Sequence, residues 1–310
     1  QLACHENKFQ RNFVLKDLEG KIIPSQSSTW QRKEEFDSTT GGSREVWECK
    51  VSFLAEEVPS LGYKTYFLVP GQSTVPKGIL KVNKNGIENE FFKVKINENG
   101  TLRIADKKTG QVFDRCNLFE DAEDAGDEYN YSPAKNGKVI TSEDVKGNIS
   151  LIENGQTYIT FRVSIKLSLP ESLTHDRRKR NKRFVKCPLT SCITIYTKIP
   201  RIDIRTAFSN RVRDHRLRVL FPTPIHTRHS YAEGQFDVIR RSIKLPHSKD
   251  WREKPSPTHP QQSFVDVNDE NSGLTIINQG LPEYEVIQGK GCVTAALTLL
   301  RSVGWLSMDD

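Results

Sequence analysis

The chain has 310 residues, of which 35% are hydrophobic and 27% charged, with a formal net charge of +7. That length can bury one large or two modest cores without staples, and no run of about 18 apolar residues is present to cross a bilayer. The first segment lacks the architecture of a secretion signal, and six scattered cysteines in so long a chain do not describe a disulfide framework. Reduced thiols and a cytoplasmic location are therefore expected, and the glycosylation triplets at Asn99 and Asn148 are discounted as chance occurrences.

In chain order, Phe13–Leu15 followed by Asp17–Gly20, Ile22-Ile23, and Val46–Phe53 with Tyr63–Val69 read as a small β-sandwich, Pro59–Gly62 turning between the last two. A boundary falls in the Gly-, Ser- and Pro-rich stretch Pro70–Pro76 or at the Asn83–Gly86 turn. This gives residues 1–85 as a small sandwich with its linker and 86–310 as a larger unit. Within the larger unit Asn97–Gly100 and Lys107–Gly110 punctuate a meander, while Tyr158–Leu169, Ile193–Ile199 and Asp203–Ser209 alternate apolar with polar. Such alternation over many short segments predicts antiparallel sheets with one solvated face. No segment has a convincing helical period, so the expected class is all-β.

The segment Phe113–Pro133, FDRCNLFEDAEDAGDEYNYSP, departs from these ordinary patterns. Acidic side chains, an Ala125-Gly126 step and the pair Tyr129 and Tyr131 are what a polyol site needs. Carboxylates accept from sugar hydroxyls, aromatic rings stack on the C–H face of a sugar, and glycine allows close backbone approach. Asp121, Asp124, Asp127 and Glu128 also include the two carboxylates that glycoside hydrolysis requires. The alternative for the whole segment is a solvated loop whose tyrosines cover a sheet edge.

Further along, Asp176–Arg183 (DRRKRNKR) carries seven charged side chains in eight positions and reads as a solvated loop between strands. It also raises nucleic-acid binding, but neither stacking aromatics nor a basic helix accompanies it. Cys187 and Cys192 with His226 and His229 are zinc-type ligands at a spacing that fits no common pattern. His215 follows Asp214 as in a relay pair, but no nucleophile signature accompanies it and it reads as part of an interstrand polar ladder. Gln235, Asp237, Arg240 and Arg241 in Tyr231–Arg241 supply donors and acceptors suited to sugar hydroxyls or a substrate carboxylate.

The Gly126-Asp-Glu-Tyr129 word, with Phe91–Gly110 before it and Pro200–Pro222, Tyr231–Arg241, Ser263–Val286 and Ala296–Asp310 after it, resembles the C-terminal β region of glycoside hydrolase family 38, the retaining α-mannosidases. The resemblance is strongest to the bacterial branch that includes mannosylglycerate hydrolases. It implies that residues 86–310 form a galactose-mutarotase-type supersandwich whose C-terminal end is truncated. It also implies that the nucleophile, the acid/base carboxylate and a zinc with His and Asp ligands belong to an upstream catalytic domain, so that this chain holds no catalytic residue and binds no metal itself. Tyr129 matches the position whose ring lines the sugar pocket, and Asp309-Asp310 match an acidic pair near the cleft. The expected substrate contacts are Asp124, Asp127, Glu128, Tyr129, Gln235, Asp237, Arg240, Asp309 and Asp310.

The expected function is to complete the substrate cleft of a retaining, zinc-dependent α-mannosidase-like enzyme. Its partners would be an α-mannoside or mannosylglycerate-type sugar and its own upstream domain, with an oligomer allowed and neither nucleic acid nor membrane involved. The alternatives are a stand-alone carbohydrate-binding sandwich and a basic nucleic-acid-binding β protein.

Overall fold

The computed structural model describes residues 2–4, 12–39, 41–72, 80–134, 137–252 and 254–305, and among them there is no helix. The chain divides into two compact units. The first comprises Gln1–Lys81, Leu151–Phe161 and Thr194–Asp203, and the second Val82–Ser150, Arg162–Ile193 and Ile204–Asp310. Part of the stretch expected to link the units, residues 73–79, lies outside the described residues.

In the first unit Phe13–Lys16 sits between Ile22–Ile23 and Phe67–Pro70. Asp17–Gly20 is the turn between the first two strands: the Asp17 carboxylate accepts from the amides of Glu19 and Lys21, and Gly20 takes φ +80°, a conformation open mainly to glycine. Gly42–Cys49 pairs with Gln31–Asp37, and Ser25–Ser27 with Val51–Phe53. The core here is small and includes Val14, Leu15, Val46 and Cys49 together with Ile159, Phe161 and Ile195 from the later segments.

The second unit is built from larger antiparallel sheets. A five-stranded meander runs from Lys81–Asn83 to Val112–Cys116. Its turns lie at Asn97–Gly100 and at Lys107–Gly110, with Gly100 at φ +84° and Gly110 at φ +73°. A six-stranded sheet has the order Ile140–Thr141, Leu118–Glu123, His215–Pro222, Val293–Ser302, Glu283–Gln288, Thr258–Pro260. A separate four-stranded sheet contains the hairpin His229–Glu233 and Val238–Ser242. The long strands Tyr158–Pro170 and Phe184–Tyr196 bury alternate residues. Val163, Ile165, Leu167 and Leu169 on one, and Cys187, Leu189 and Ile193 on the other, are inside, as period-two patterning requires.

Candidate functional site

Leu118–Glu123 and Val293–Ser302 flank His215–Pro222 on its two edges, with Glu120 opposite Arg218, Glu123 opposite His215, and Arg216 opposite Arg301. Side chains alternate along a strand. This register therefore gathers Glu120, Arg216, Arg218 and Arg301 on one face of the sheet and Asp121, Glu123 and His215 on the other. His215–Arg218 are all buried, so the charged groups on both faces must find partners inside the protein.

On the second face, Asp121 bonds His215 Nδ1 at 2.6 Å and also pairs with Arg180, which reaches Glu123 at 3.3 Å. The Nε2 of His215 meets Asn210 Oδ1 at 3.1 Å. Arg177, from the same basic run as Arg180, pairs with Asp214 at 3.0 Å. One expectation is corrected by these contacts. The run Asp176–Arg183 is not simply solvated, because Arg180 turns inward onto the buried Asp121 and Glu123 and Arg177 onto the partly buried Asp214, while Arg178, Lys179, Lys182 and Arg183 stay outside. His215 is oriented by Asp121 rather than Asp214, since the register places it on the Asp121 face while Asp214 is occupied by Arg177.

On the first face, Arg218 is bound by Glu120 at 2.9 Å and by Glu285. Arg216, 3% exposed, lies with its guanidinium 3.4 Å from the centroid of the Tyr131 ring. Its Nε and Nη1 have no hydrogen-bond partner among the described residues, and Glu283 is 3.8 Å away. Burial, then the neighbouring Arg218 charge, lowers the Arg216 pKa, and burial raises that of Tyr131.

The acidic loop grows from this wall. Asp124 is fully buried; its Oδ2 accepts from Arg301 Nε at 2.8 Å and its Oδ1 from the amides of Gly126 at 3.0 Å and Ser132 at 3.2 Å. Arg301 also donates to the Asp127 carbonyl at 2.8 Å. The loop closes on itself where Ala125 N–H donates to Ser132 O at 2.8 Å. Gly126 is required by space: a Cβ there would fall 1.9 Å from Asn130 O. Above this base, Asp127 Oδ1 accepts from the amides of Tyr129 and Asn130 at 3.0 and 2.8 Å. Those amides, first that of Asn130, and the Arg301 charge hold the Asp127 carboxyl below the usual carboxylate range. The result is a braced tip carrying Tyr129, whose side chain is 77% exposed.

Of the residues expected to contact substrate, Asp124, Asp127, Glu128 and Tyr129 thus share one loop. Their roles differ: Asp124 is consumed by the brace, Asp127 caps the turn, Glu128 is half-buried and Tyr129 faces outward. Gln235 and Asp237 are exposed at the tip of the His229–Ser242 hairpin in another sheet. Arg240, on that hairpin, is exposed and rests on the His229 ring at 3.1 Å. Asp309 and Asp310 lie outside the described residues. Sequence reasoning missed Arg301, Arg216 and the inward role of Arg177 and Arg180. The available signal was the alternate arginines in the otherwise apolar HRLRVLFP, a spacing that puts two cations on one face of a strand.

No group of three His, Cys, Asp or Glu side chains among the described residues is arranged to hold a metal ion. The zinc that the resemblance implies therefore has no ligand set in them. Cys187 is a free thiol whose pKa is raised by burial.

The class defined by this architecture is an all-β protein with a small β-sandwich followed by a large antiparallel supersandwich. Residues 87–309 match the model of the glycosyl hydrolases family 38 C-terminal domain, and the chain belongs to that family. It is 30% identical over 277 residues to a protein of Halalkalibacterium halodurans named "Putative mannosylglycerate hydrolase", covering 84% of this chain and 30% of that protein. Among solved structures it is similar to an alpha-mannosidase from Enterococcus faecalis, with TM-score 0.83 and 29% identity over 96% of this chain and 35% of that one. A family 38 glycosyl hydrolase from the same organism gives TM-score 0.83 at 28% identity, over 96% and 36% of the respective chains. The chain thus spans about a third of the length of the relatives it matches.

Proposed function

We propose that this chain is the C-terminal region of a retaining α-mannosidase-like glycosidase and that it presents Tyr129 to the sugar in the cleft of the parent enzyme. The observation that carries this reading is the contrast within one loop between a buried, ion-paired base at Asp124 and an exposed ring at Tyr129. An aromatic ring held in place before binding offers stacking area at low entropic cost. Asp121 and Asp124 are engaged by arginines, which leaves them poorly suited to acid/base work. The nucleophile, the acid/base group and the zinc ligands belong, in this reading, to residues outside this chain, where zinc would organise sugar hydroxyls. The name of the Halalkalibacterium halodurans relative favours an anionic mannoside such as mannosylglycerate. The exposed Arg240 is the donor suited to its carboxylate. The parent enzyme would act in the cytoplasm.

The test is hydrolysis of an aryl α-mannoside by the 310-residue chain beside the product of the complete reading frame, each with and without a zinc chelator. Chelator-sensitive activity confined to the complete product is the expected result, and turnover by the isolated chain would overturn it. In the complete enzyme Tyr129→Ala should lower kcat/KM by about tenfold, the scale of a lost stacking contact. An unchanged value would remove Tyr129 from the cleft.

A further inference from the structure

The first unit contains a cavity of about 600 Å³ lined by Ile22, Phe53, Tyr66, Tyr158, Tyr196 and Lys198, among others. Its aromatic walls come in two pairs. The Tyr158 and Tyr196 centroids are 6.0 Å apart at 53°, and those of Phe53 and Tyr66 are 4.8 Å apart at 64°. The hydroxyl of Tyr196 is tethered to Asp203 at 2.6 Å, and burial raises the pKa of Tyr158. The Tyr196 ring is therefore held in place before any ligand arrives, and the Tyr158 ring packs against it. Polar groups stand beside the rings. Lys198 Nζ bonds Glu56 Oε1 at 2.5 Å, and Lys64 Nζ bonds the Glu56 carbonyl at 3.1 Å. The hydroxyl of Tyr66 is buried without a hydrogen-bond partner among the described residues, a state that is costly to leave unmade.

We infer that this cavity is a second ligand site, in the first unit, and that it takes a neutral saccharide. Ring faces suit the apolar C–H face of a sugar, while ammonium donors, a carboxylate acceptor and an unmatched phenol suit its hydroxyls. Both signs of charge line the cavity: Asp17, Glu19, Glu56 and Glu57 face Lys21, Lys64 and Lys198. That balance disfavours an anion, and so many charges disfavour a purely apolar guest. The volume lies within the range of small-molecule sites. The inference does not depend on the role proposed for Tyr129.

The experiment is titration of the 310-residue protein with methyl α-mannoside and with mannotriose, followed by calorimetry and by amide chemical shifts. Mannotriose should bind with a Kd of about 1 mM, shifting amides of residues 52–66 and 156–158. Tyr158→Ala should weaken it by about tenfold. Tyr66→Phe, which removes only an oxygen, should weaken it several-fold without lowering Tm, and Tyr129→Ala should leave these shifts intact. No binding at about 10 mM sugar, or binding that tolerates both Tyr66→Phe and Tyr158→Ala, would overturn the inference. Binding abolished by Tyr129→Ala alone would also overturn it, while leaving the reading of the acidic loop standing.

Discussion

Asp124 is fully buried and accepts from one guanidinium and two backbone amides, and Arg301 supplies the donor to its Oδ2. Removing one partner of a buried pair leaves the other uncompensated, typically at about 3–5 kcal/mol. Arg301→Ala should cost a substantial part of that range in urea-induced unfolding, and a loss below about 0.5 kcal/mol would show the pair to be incidental. Gly126→Ala tests the tip separately. A Cβ 1.9 Å from the Asn130 carbonyl cannot be accommodated without moving the loop. The variant should change the amide shifts of residues 124–132 while most of the core stays native. The pH dependence of the Asp127 cap follows from its lowered pKa. Its contribution is fully present above the unfolded value near 3.9 and is lost as pH falls through the lower folded value. The Tyr129 and Asn130 amides should therefore keep their neutral-pH positions down to about pH 4, and loss of those positions already at pH 6 would contradict the cap.

At the scale of elements, the two arginines reaching in from Asp176–Arg183 behave unlike their neighbours. Arg180→Ala exposes Asp121 and Glu123 to each other without a cation between them and should destabilise the second unit by about 3–5 kcal/mol. Arg178→Ala, at an exposed position two residues away, should stay within about 0.5 kcal/mol in the same urea titration. Equal effects would return the run to a solvated loop. Legibility in the sequence varied along the same lines. Tyr158–Leu169 was readable because its period-two alternation reflects burial on one side. Gln31–Asp37 (QRKEEFD) was not, because Gln31–Phe36 are all exposed and leave no apolar period to detect. The acidic loop stood out by composition, but its support did not. Arg301 is 177 positions from Asp124, and no local pattern encodes a pairing that only the sheet register creates. Two further segments, Leu151–Phe161 and Thr194–Asp203, join the first unit from far along the chain, another long-range feature that reading by segments could not supply.

Over the whole molecule, burial gives a chemical reporter of opening. The Cys116 thiol is pushed up to about 12 by burial and by the nearby Asp114 charge. At pH 8 it is almost entirely protonated and shielded, and the thiolate is the reactive form. Alkylation of Cys116, followed by peptide mass spectrometry, should be negligible in the native state and rise only at denaturant concentrations that unfold the second unit. Labelling as fast as at the half-buried Cys292 would show that this part of the sheet opens locally.

The Asp124–Arg301 contact also sets an order of events during biosynthesis. The acidic loop leaves the ribosome long before the strand that carries its counter-charge, and chains fold progressively as they emerge. Until Val293–Ser302 has docked, the Asp124 carboxylate lacks the Arg301 guanidinium, and the loop that carries Tyr129 has only its own local hydrogen bonds to hold it. The surface proposed to meet the sugar is therefore completed by the last strand described, so a nascent or prematurely terminated chain would carry the acidic loop without its full support.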